Sequence, residues 1–121
     1  MALWVWPAVG VLGGIFSILR FLVDASVSER ASSEFPWGTF VVNVSGAFVL
    51  GALFGAALSG TTYLLAGTAC IGSYTTFSTW MLESHRLGDD DDRRPLVMYI
   101  VASLVAGLIA ATLGREVGMA L

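Results

Sequence analysis

Residues 72–80, with the sequence GSYTTFSTW, surround Phe77 with serine and threonine hydroxyls in a part of the chain that is otherwise apolar. Hydroxyl groups donate hydrogen bonds without carrying a full charge, and an aromatic ring has a positive edge. Groups of this kind can replace the water shell of a small anion, whereas a fixed cation would hold the anion too tightly to release it. The residue types therefore favour anion permeation, although they do not name the ion.

The same segment is not expected to be a regular helix throughout. Gly67 and Gly72 weaken the helix, and the β-branched pair Thr75 and Thr76 follows directly. A broken backbone is tolerated at membrane depth only where it is buried in protein or lines a cavity. A break here would free carbonyl oxygens, which are ligands for a hard cation.

Two other segments carry small and polar residues at intervals of four, which places them on one face of a helix. The first set is Thr39, Asn43, Ala47, Gly51 and Gly55, and the second is Tyr99, Ser103, Gly107 and Ala111. Such faces avoid lipid and are expected to face protein or a water-accessible path. Asn43 is the strongest single residue among them. Its side chain could form a hydrogen bond that holds two helices together, or it could donate a hydrogen bond in the functional site. The pattern alone does not distinguish these two roles.

The composition predicts an all-α integral membrane protein. The chain has 121 residues, of which 56% are hydrophobic and 12% charged. Four apolar segments form one predicted membrane domain over residues 1–121, at residues 3–22, about 38–58, about 63–81 and 96–113. As helices they would be about 27 to 32 Å long, enough to cross a hydrocarbon core of roughly 30 Å. A four-helix chain of this size is too small to enclose a pathway, so oligomerisation is expected. Gly10 and Gly14 have a spacing that favours close helix packing.

Several function classes lack the residues that they need. No acidic residue, lysine or histidine falls near the middle of a predicted span, which argues against a proton-coupled exporter. Arg20 and Glu83 are expected at helix ends, where they could pair, and His85 is expected in a solvated loop. No general base accompanies the hydroxyls, so we do not expect an enzyme. Cys70 is the single cysteine, which excludes an internal disulfide.

The motifs resemble one family. The chain is similar to the CrcB/Fluc family of fluoride channels in three segments and two later residues. They are GGIFSILR at residues 13–20, GTFVVNVSG at 38–46, GSYTTFSTW at 72–80, Tyr99 and Ser103. The resemblance covers essentially the whole chain. It implies a four-helix subunit with a break in its third helix that works as an antiparallel dimer. This dimer would export toxic fluoride passively from the cytoplasm through the cell membrane, with a structural sodium ion (Na⁺) at its centre.

The resemblance also implies roles for individual residues. The backbone carbonyls of Gly72 and Thr75 would bind the sodium ion. Arg20 and Glu83 match motif positions at the ends of the first and third helices. Trp80 stands where the family usually has a second phenylalanine. The residues expected to line the fluoride pore are Thr39, Asn43, Phe77, Ser78, Thr79, Trp80, Tyr99 and Ser103.

The expected partners are fluoride, membrane lipid and a second subunit, with no nucleic acid. The loops after the first and third spans carry most of the arginines, so the positive-inside rule predicts one preferred orientation with both termini outside. This bias leaves two assemblies open: a dual-topology homodimer, or a heterodimer with a sister subunit in which this chain could be the non-conducting partner. The rival classes are a small proton-coupled multidrug-type exporter and a purely structural membrane dimer.

Overall fold

The computed structural model describes residues 2–31, 33–89 and 91–121, and every regular element in these ranges is helical. Within this described part of the chain, three helices are long and apolar enough to cross a membrane: α1 (Val5–Arg30), α2 (Trp37–Gly55) and α6 (Arg94–Ala120). Shorter elements connect α2 to α6. They are α3 (Gly60–Tyr63), a π-helical segment (Leu64–Ile71), α4 (Gly72–Tyr74) and α5 (Ser78–Gly88).

Helices α1 and α6 extend beyond the apolar spans that were predicted, whereas α2 ends at Gly55, before the predicted end near residue 58. At about 1.5 Å per residue, the 26 residues of α1 and the 27 of α6 are each roughly 40 Å long. Hydropathy marks only the part of a helix that suits lipid, whereas charged residues such as Glu29 continue a helix without difficulty. Two placements are corrected as a result. Arg20 lies ten residues before the end of α1, and His85 lies on α5, not in a loop.

Helices α2 and α6 pack with their backbones in direct contact at four glycines. A Cβ atom on Gly51 or Gly55 would collide with the carbonyl oxygen of Ala111 or Arg115 on α6. In return, a Cβ on Gly114 or Gly118 would collide with the carbonyl oxygen of Phe48 or Ala52 on α2. Small residues at this spacing let membrane helices approach closely and gain van der Waals contact. We call these four glycines the glycine contact.

The middle of the chain changes helix type before it loses helical structure. The eight residues of Leu64–Ile71 are π-helical, a form rare in proteins and frequent at functional sites. After Tyr74 the backbone becomes extended at Thr75, with φ −79° and ψ 159°, and helical hydrogen bonding resumes in α5 at Ser78. We call residues 75–77 the interruption.

Helix α1 packs against this middle region through a different glycine from the pair that was expected. A Cβ on Gly13 would lie 3.1 Å from Ser73 Oγ, whereas Gly10 and Gly14 have no atoms of other elements within 4 Å of such a Cβ. The close helix packing predicted for Gly10 and Gly14 is therefore not made within the described part of the chain.

The outer surface of the long helices is apolar. Large exposed side chains line α1 and α6, among them Val11, Ile15, Ile18, Phe21, Val101, Leu104 and Leu108. A monomeric soluble protein rarely exposes so much contiguous apolar surface. Together with the three long apolar helices, this surface indicates a membrane protein.

Candidate functional site

Asn43 joins α2 to the interruption through both of its polar side-chain atoms. Its Nδ2 donates to the carbonyl oxygen of Thr76 at 2.9 Å, and its Oδ1 accepts from the backbone N–H of Thr76 at 2.8 Å. An asparagine side chain that pairs with both backbone polar groups of one residue in this way replaces the hydrogen bonds that a continuous helix would make. Because Nδ2 carries two hydrogens, one donor remains available beyond this pair. We call the arrangement the Asn43 clamp.

The clamp withdraws a donor from a carbonyl of the preceding helical turn. In a continuous α-helix the Thr76 N–H would reach the carbonyl of Gly72, but it bonds to Asn43 Oδ1 instead. The Thr79 N–H would likewise reach the carbonyl of Thr75, but it bonds to Thr76 Oγ1 at 3.2 Å. Both carbonyls predicted as cation ligands therefore lose their helical donors, and the uncharged oxygens that remain suit a hard cation.

Close packing of α2 against the interruption depends on Gly46. A Cβ at Gly46 would collide with the methyl group of Thr75 and lie 3.4 Å from the ring of Tyr74. The Tyr74 hydroxyl is also 3.0 Å from Ser45 Oγ, and the Thr75 hydroxyl donates to the carbonyl of Ile71 at 3.0 Å. These contacts fix both sides of the point where the helix ends.

Phe77 and Trp80 stand beside the clamp and form one wall of an open cleft. Their ring centroids are 5.8 Å apart with an interplanar angle of 62°, so the two rings meet edge to face. The cleft has a volume of about 300 Å³ and is lined by Asn43, Gly46, Ala47, Leu50, Thr75, Thr76, Phe77 and Trp80. Phe77 is 70% exposed in the single chain, so its ring is available to whatever covers this face. We call this feature the aromatic cleft.

A second group of predicted residues lies about one turn further along the same helices. The Tyr99 hydroxyl donates to Glu83 Oε1 at 3.4 Å, and Tyr99 is completely buried. Thr39, one turn before Asn43 on α2, is 1% exposed. Ser103 follows Tyr99 by one turn of α6, and its Oγ is buried. The polar residues predicted on α2, α5 and α6 are therefore buried or half-buried at neighbouring levels of the bundle.

Three predicted residues contribute less to this arrangement. Ser78 is exposed at the start of α5, and Thr79 contributes its backbone N–H to the interruption. Within the described ranges Arg20 makes no ion pair, so the suggested pairing with Glu83 is not formed. The ion pair between Arg94 and Asp92 joins the first residue of α6 to the loop before it, with Nη2 and Oδ2 3.0 Å apart. The Arg94 side chain and backbone N–H hold the pKa of Asp92 below its usual range.

A family model described as CrcB-like protein, Camphor Resistance (CrcB), matches residues 7–115. The chain belongs to this family. The resemblance that was read from the motifs is thereby confirmed.

Named relatives span most of the chain. A protein of Mycolicibacterium paratuberculosis (strain ATCC BAA-968 / K-10) named fluoride-specific ion channel FluC 2 is 54% identical over 112 residues, which is 93% of this chain and 92% of that protein. A protein of the same name from Mycobacterium bovis (strain ATCC BAA-935 / AF2122/97) is 53% identical over 92% of this chain and 88% of its own length. One from Clostridium acetobutylicum is 33% identical over 88% of this chain and 92% of its own length.

Some residues of this CrcB-family site were not identified from the sequence. The partners of Asn43 are the backbone N–H and carbonyl of Thr76, and a backbone partner leaves no mark on residue type. Ser45 and Tyr74 were also missed. The spacing of four between Gly114 and Gly118 would have revealed the α6 side of the glycine contact, because it matches that of Gly51 and Gly55.

Proposed function

We propose that this CrcB-family chain is a subunit of a fluoride-selective channel that lets fluoride leave the cytoplasm passively through the cell membrane. The observation that carries the proposal is the Asn43 clamp beside the aromatic cleft, in a chain whose relatives are named fluoride-specific ion channels. Maintaining an interrupted helix needs an explanation, because it sacrifices backbone hydrogen bonds at membrane depth.

The chemistry of the cleft suits a small anion that must be bound and released. The spare N–H of Asn43 and the ring edges of Phe77 and Trp80 present partial positive charge. Among the described residues, no lysine or arginine lines this cleft. Donors without full charge can replace water around fluoride while still allowing it to move on.

The channel is proposed to be an antiparallel dimer. The aromatic cleft is open on one side and Phe77 is largely exposed, so one chain alone does not enclose a path. A second copy covering this face would complete the walls. Four membrane crossings are part of the same proposal, with the π-helical segment, α4 and α5 together forming the third.

A structural sodium ion at the dimer centre fits the donor set. The carbonyl oxygens of Gly72 and Thr75 would hold the ion, because their helical donors are engaged by Asn43 and Thr76. When bound, the ion would supply positive charge that stabilises these two carbonyl oxygens.

The test is fluoride efflux from liposomes that contain the protein purified alone, followed with a fluoride electrode. We expect rapid fluoride release that needs no proton gradient, with chloride retained in a parallel measurement. Release that requires a proton gradient would instead support the small exporter class. A dimer that assembles in the membrane but releases neither ion, alone or with a sister subunit, would contradict the channel proposal.

A heterodimer is a second candidate, because the arginines collect at one end of the bundle. One cavity is lined by Ser28, Trp37 and Arg86. The end of α1, the start of α2 and the side of α5 therefore lie next to one another. Arg30, Arg86, Arg93 and Arg94 lie toward this end, and Arg115 packs near Gly55 at the other. Tagging the C-terminus tests the bias: equal exposure on both membrane faces would favour a dual-topology homodimer, and one orientation a heterodimer.

A further inference from the structure

An open groove lies between α5 and α6, and its lining residues are different from those of the aromatic cleft. Its volume is about 470 Å³, within the range of ligand-binding sites, which is roughly 300 to 1,000 Å³. Because α5 ends at Gly88 and α6 begins at Arg94, the charged residues Asp89 and Arg93 line the end of the groove next to the loop. The apolar residues that line the part further along the two helices are Met81, Leu96 and Ile100. The groove is therefore charged at one end and apolar at the other.

The charged end lies at the level expected for lipid headgroups. The apolar segment predicted as the last span begins at residue 96, three residues after Arg93. Ile100 is seven residues beyond Arg93, which is about 10 Å along a helix. Headgroups border the hydrocarbon core at the point where such an apolar segment begins. A phospholipid in this groove would therefore have its phosphate near Arg93 and an acyl chain beside Leu96 and Ile100.

A second open groove on α6 also has Arg93 in its lining. Its apolar residues are Val97, Met98 and Val101, and each of them is more than half exposed. The two grooves thus share a cation at one end and then run beside different residues of α6. A phospholipid has one phosphate and two acyl chains, so a headgroup at Arg93 allows one chain to lie in each groove.

The shared end offers charges of both signs. Arg94 is paired with Asp92, whereas Arg93 forms no ion pair with the residues that the structure describes. Asp89 Oδ1 is 3.9 Å from His85 Nε2, which is too far for a hydrogen bond. One guanidinium and one carboxylate therefore remain to bind a ligand. A guanidinium binds phosphate through charge-assisted hydrogen bonds, and a carboxylate accepts such bonds from an ammonium group.

We propose that these grooves bind phosphatidylethanolamine, with its phosphate on Arg93 and its ammonium group on Asp89. The inference goes beyond the proposed channel and does not depend on it. A primary ammonium group has three N–H donors for the carboxylate, whereas the quaternary ammonium of phosphatidylcholine has none. An anionic headgroup such as that of phosphatidylglycerol has no cation, and it would be repelled by the run of four aspartates at residues 89–92.

The test is lipid competition followed by native mass spectrometry. The purified, delipidated protein in detergent receives equal amounts of phosphatidylethanolamine, phosphatidylcholine and phosphatidylglycerol that carry the same two acyl chains. We expect phosphatidylethanolamine to be retained about tenfold better than phosphatidylcholine, the size of one charge-assisted hydrogen bond. Phosphatidylglycerol should be retained least.

Substitutions separate the two halves of the headgroup. Asp89→Asn removes the charge that attracts the ammonium group, so the preference for phosphatidylethanolamine over phosphatidylcholine should disappear. Arg93→Gln removes the cation that binds the phosphate, so retention of both lipids should fall about tenfold. The matched controls are Asp91→Asn and Arg30→Gln, which make the same changes at residues that line neither groove. Both controls should keep the wild-type preference.

Equal retention of the three lipids, or a preference for phosphatidylglycerol, would overturn the inference. Loss of the preference in Asp91→Asn to the same extent as in Asp89→Asn would also overturn it, because the effect would then come from the overall charge of the loop. An assembled dimer that retains no phospholipid would show that a second copy covers the grooves, and the lipid site would be wrong.

The wild-type protein decides the question if the variants do not assemble. Phosphatidylethanolamine with one or two methyl groups on its nitrogen has fewer N–H donors, so retention should fall with each methyl group. Unchanged retention across this series would contradict the contact with Asp89. Selective retention in a protein that releases no fluoride would support the lipid site and count only against the proposed channel.

Discussion

Substitutions of Asn43 test whether this residue only holds the interruption or also faces the ion. Asn43→Asp keeps an acceptor for the Thr76 N–H, loses the donor to the Thr76 carbonyl, and adds a negative charge. Asn43→Ala removes both clamp bonds and adds no charge. Both variants therefore weaken the clamp, and only the aspartate repels an anion.

The expected difference in flux follows from the charge. A carboxylate about 4 Å from fluoride, at an effective dielectric constant of about 20, raises the energy of the ion by roughly 4 kcal/mol. Because about 1.4 kcal/mol corresponds to a factor of ten in rate, Asn43→Asp should slow fluoride about a thousandfold. Asn43→Asp loses one clamp bond and Asn43→Ala loses both, which leaves partly buried backbone groups of Thr76 unpaired and should destabilise each variant by about 1 to 3 kcal/mol.

The assay is fluoride efflux from liposomes at neutral pH, with size-exclusion chromatography and thermal unfolding in detergent to follow assembly. We expect both variants to form dimers with lowered melting temperatures, and Asn43→Asp to lose far more flux than Asn43→Ala. Equal flux in the two assembled variants would refute the reasoning, because the loss would then follow the clamp and not the charge. Normal flux in Asn43→Asp would remove Asn43 from the pore.

Two further substitutions test the packing around the site. Gly114→Ala should destabilise the protein by about 1 to 3 kcal/mol, because the added Cβ collides with the α2 backbone. In the control Gly107→Ala the added Cβ meets open space, so this variant should be neutral or slightly stabilised. Equal melting temperatures for the two variants would contradict the glycine contact. Thr76→Val removes the hydroxyl that accepts a hydrogen bond from the Thr79 N–H and should lower the free energy of unfolding by about 1 kcal/mol. Thr112→Val, on the exposed face of α6, should lower it by less. The opposite order of melting temperatures would exclude a capping role for Thr76.

The apolar spans and the family were readable from the sequence because each depends on residue type. Hydropathy located α1, α2 and α6, and the motifs around Asn43 and Phe77 identified the family. The ends of the helices were harder to predict from the sequence, because an α-helix continues through charged residues once it leaves the apolar region. The π-helical form of Leu64–Ile71 was not predicted, because its composition does not differ from that of an apolar α-helix.

The stripe of small residues on α2 shows where periodicity stops being informative. Spacing placed Asn43, Gly51 and Gly55 on one face but could not say what each would meet. In the folded chain Asn43 meets the backbone of the interruption, and the two glycines meet the backbone of α6. A spacing of four residues determines which side of the helix the side chains lie on. Which element each side chain contacts depends on the position along the helix axis at which that element passes.

This division of the stripe has a mechanical consequence for the site. Because the glycine contact brings α2 and α6 into backbone contact, α2 is held in position by a rigid neighbour and not by flexible side chains. The Asn43 clamp then transmits that position to Thr76 in the interruption, the residue next to Phe77. The placement of the aromatic cleft thus depends on packing two turns away, and loosening the glycine contact should disturb conduction even though no glycine in that contact lines the cleft.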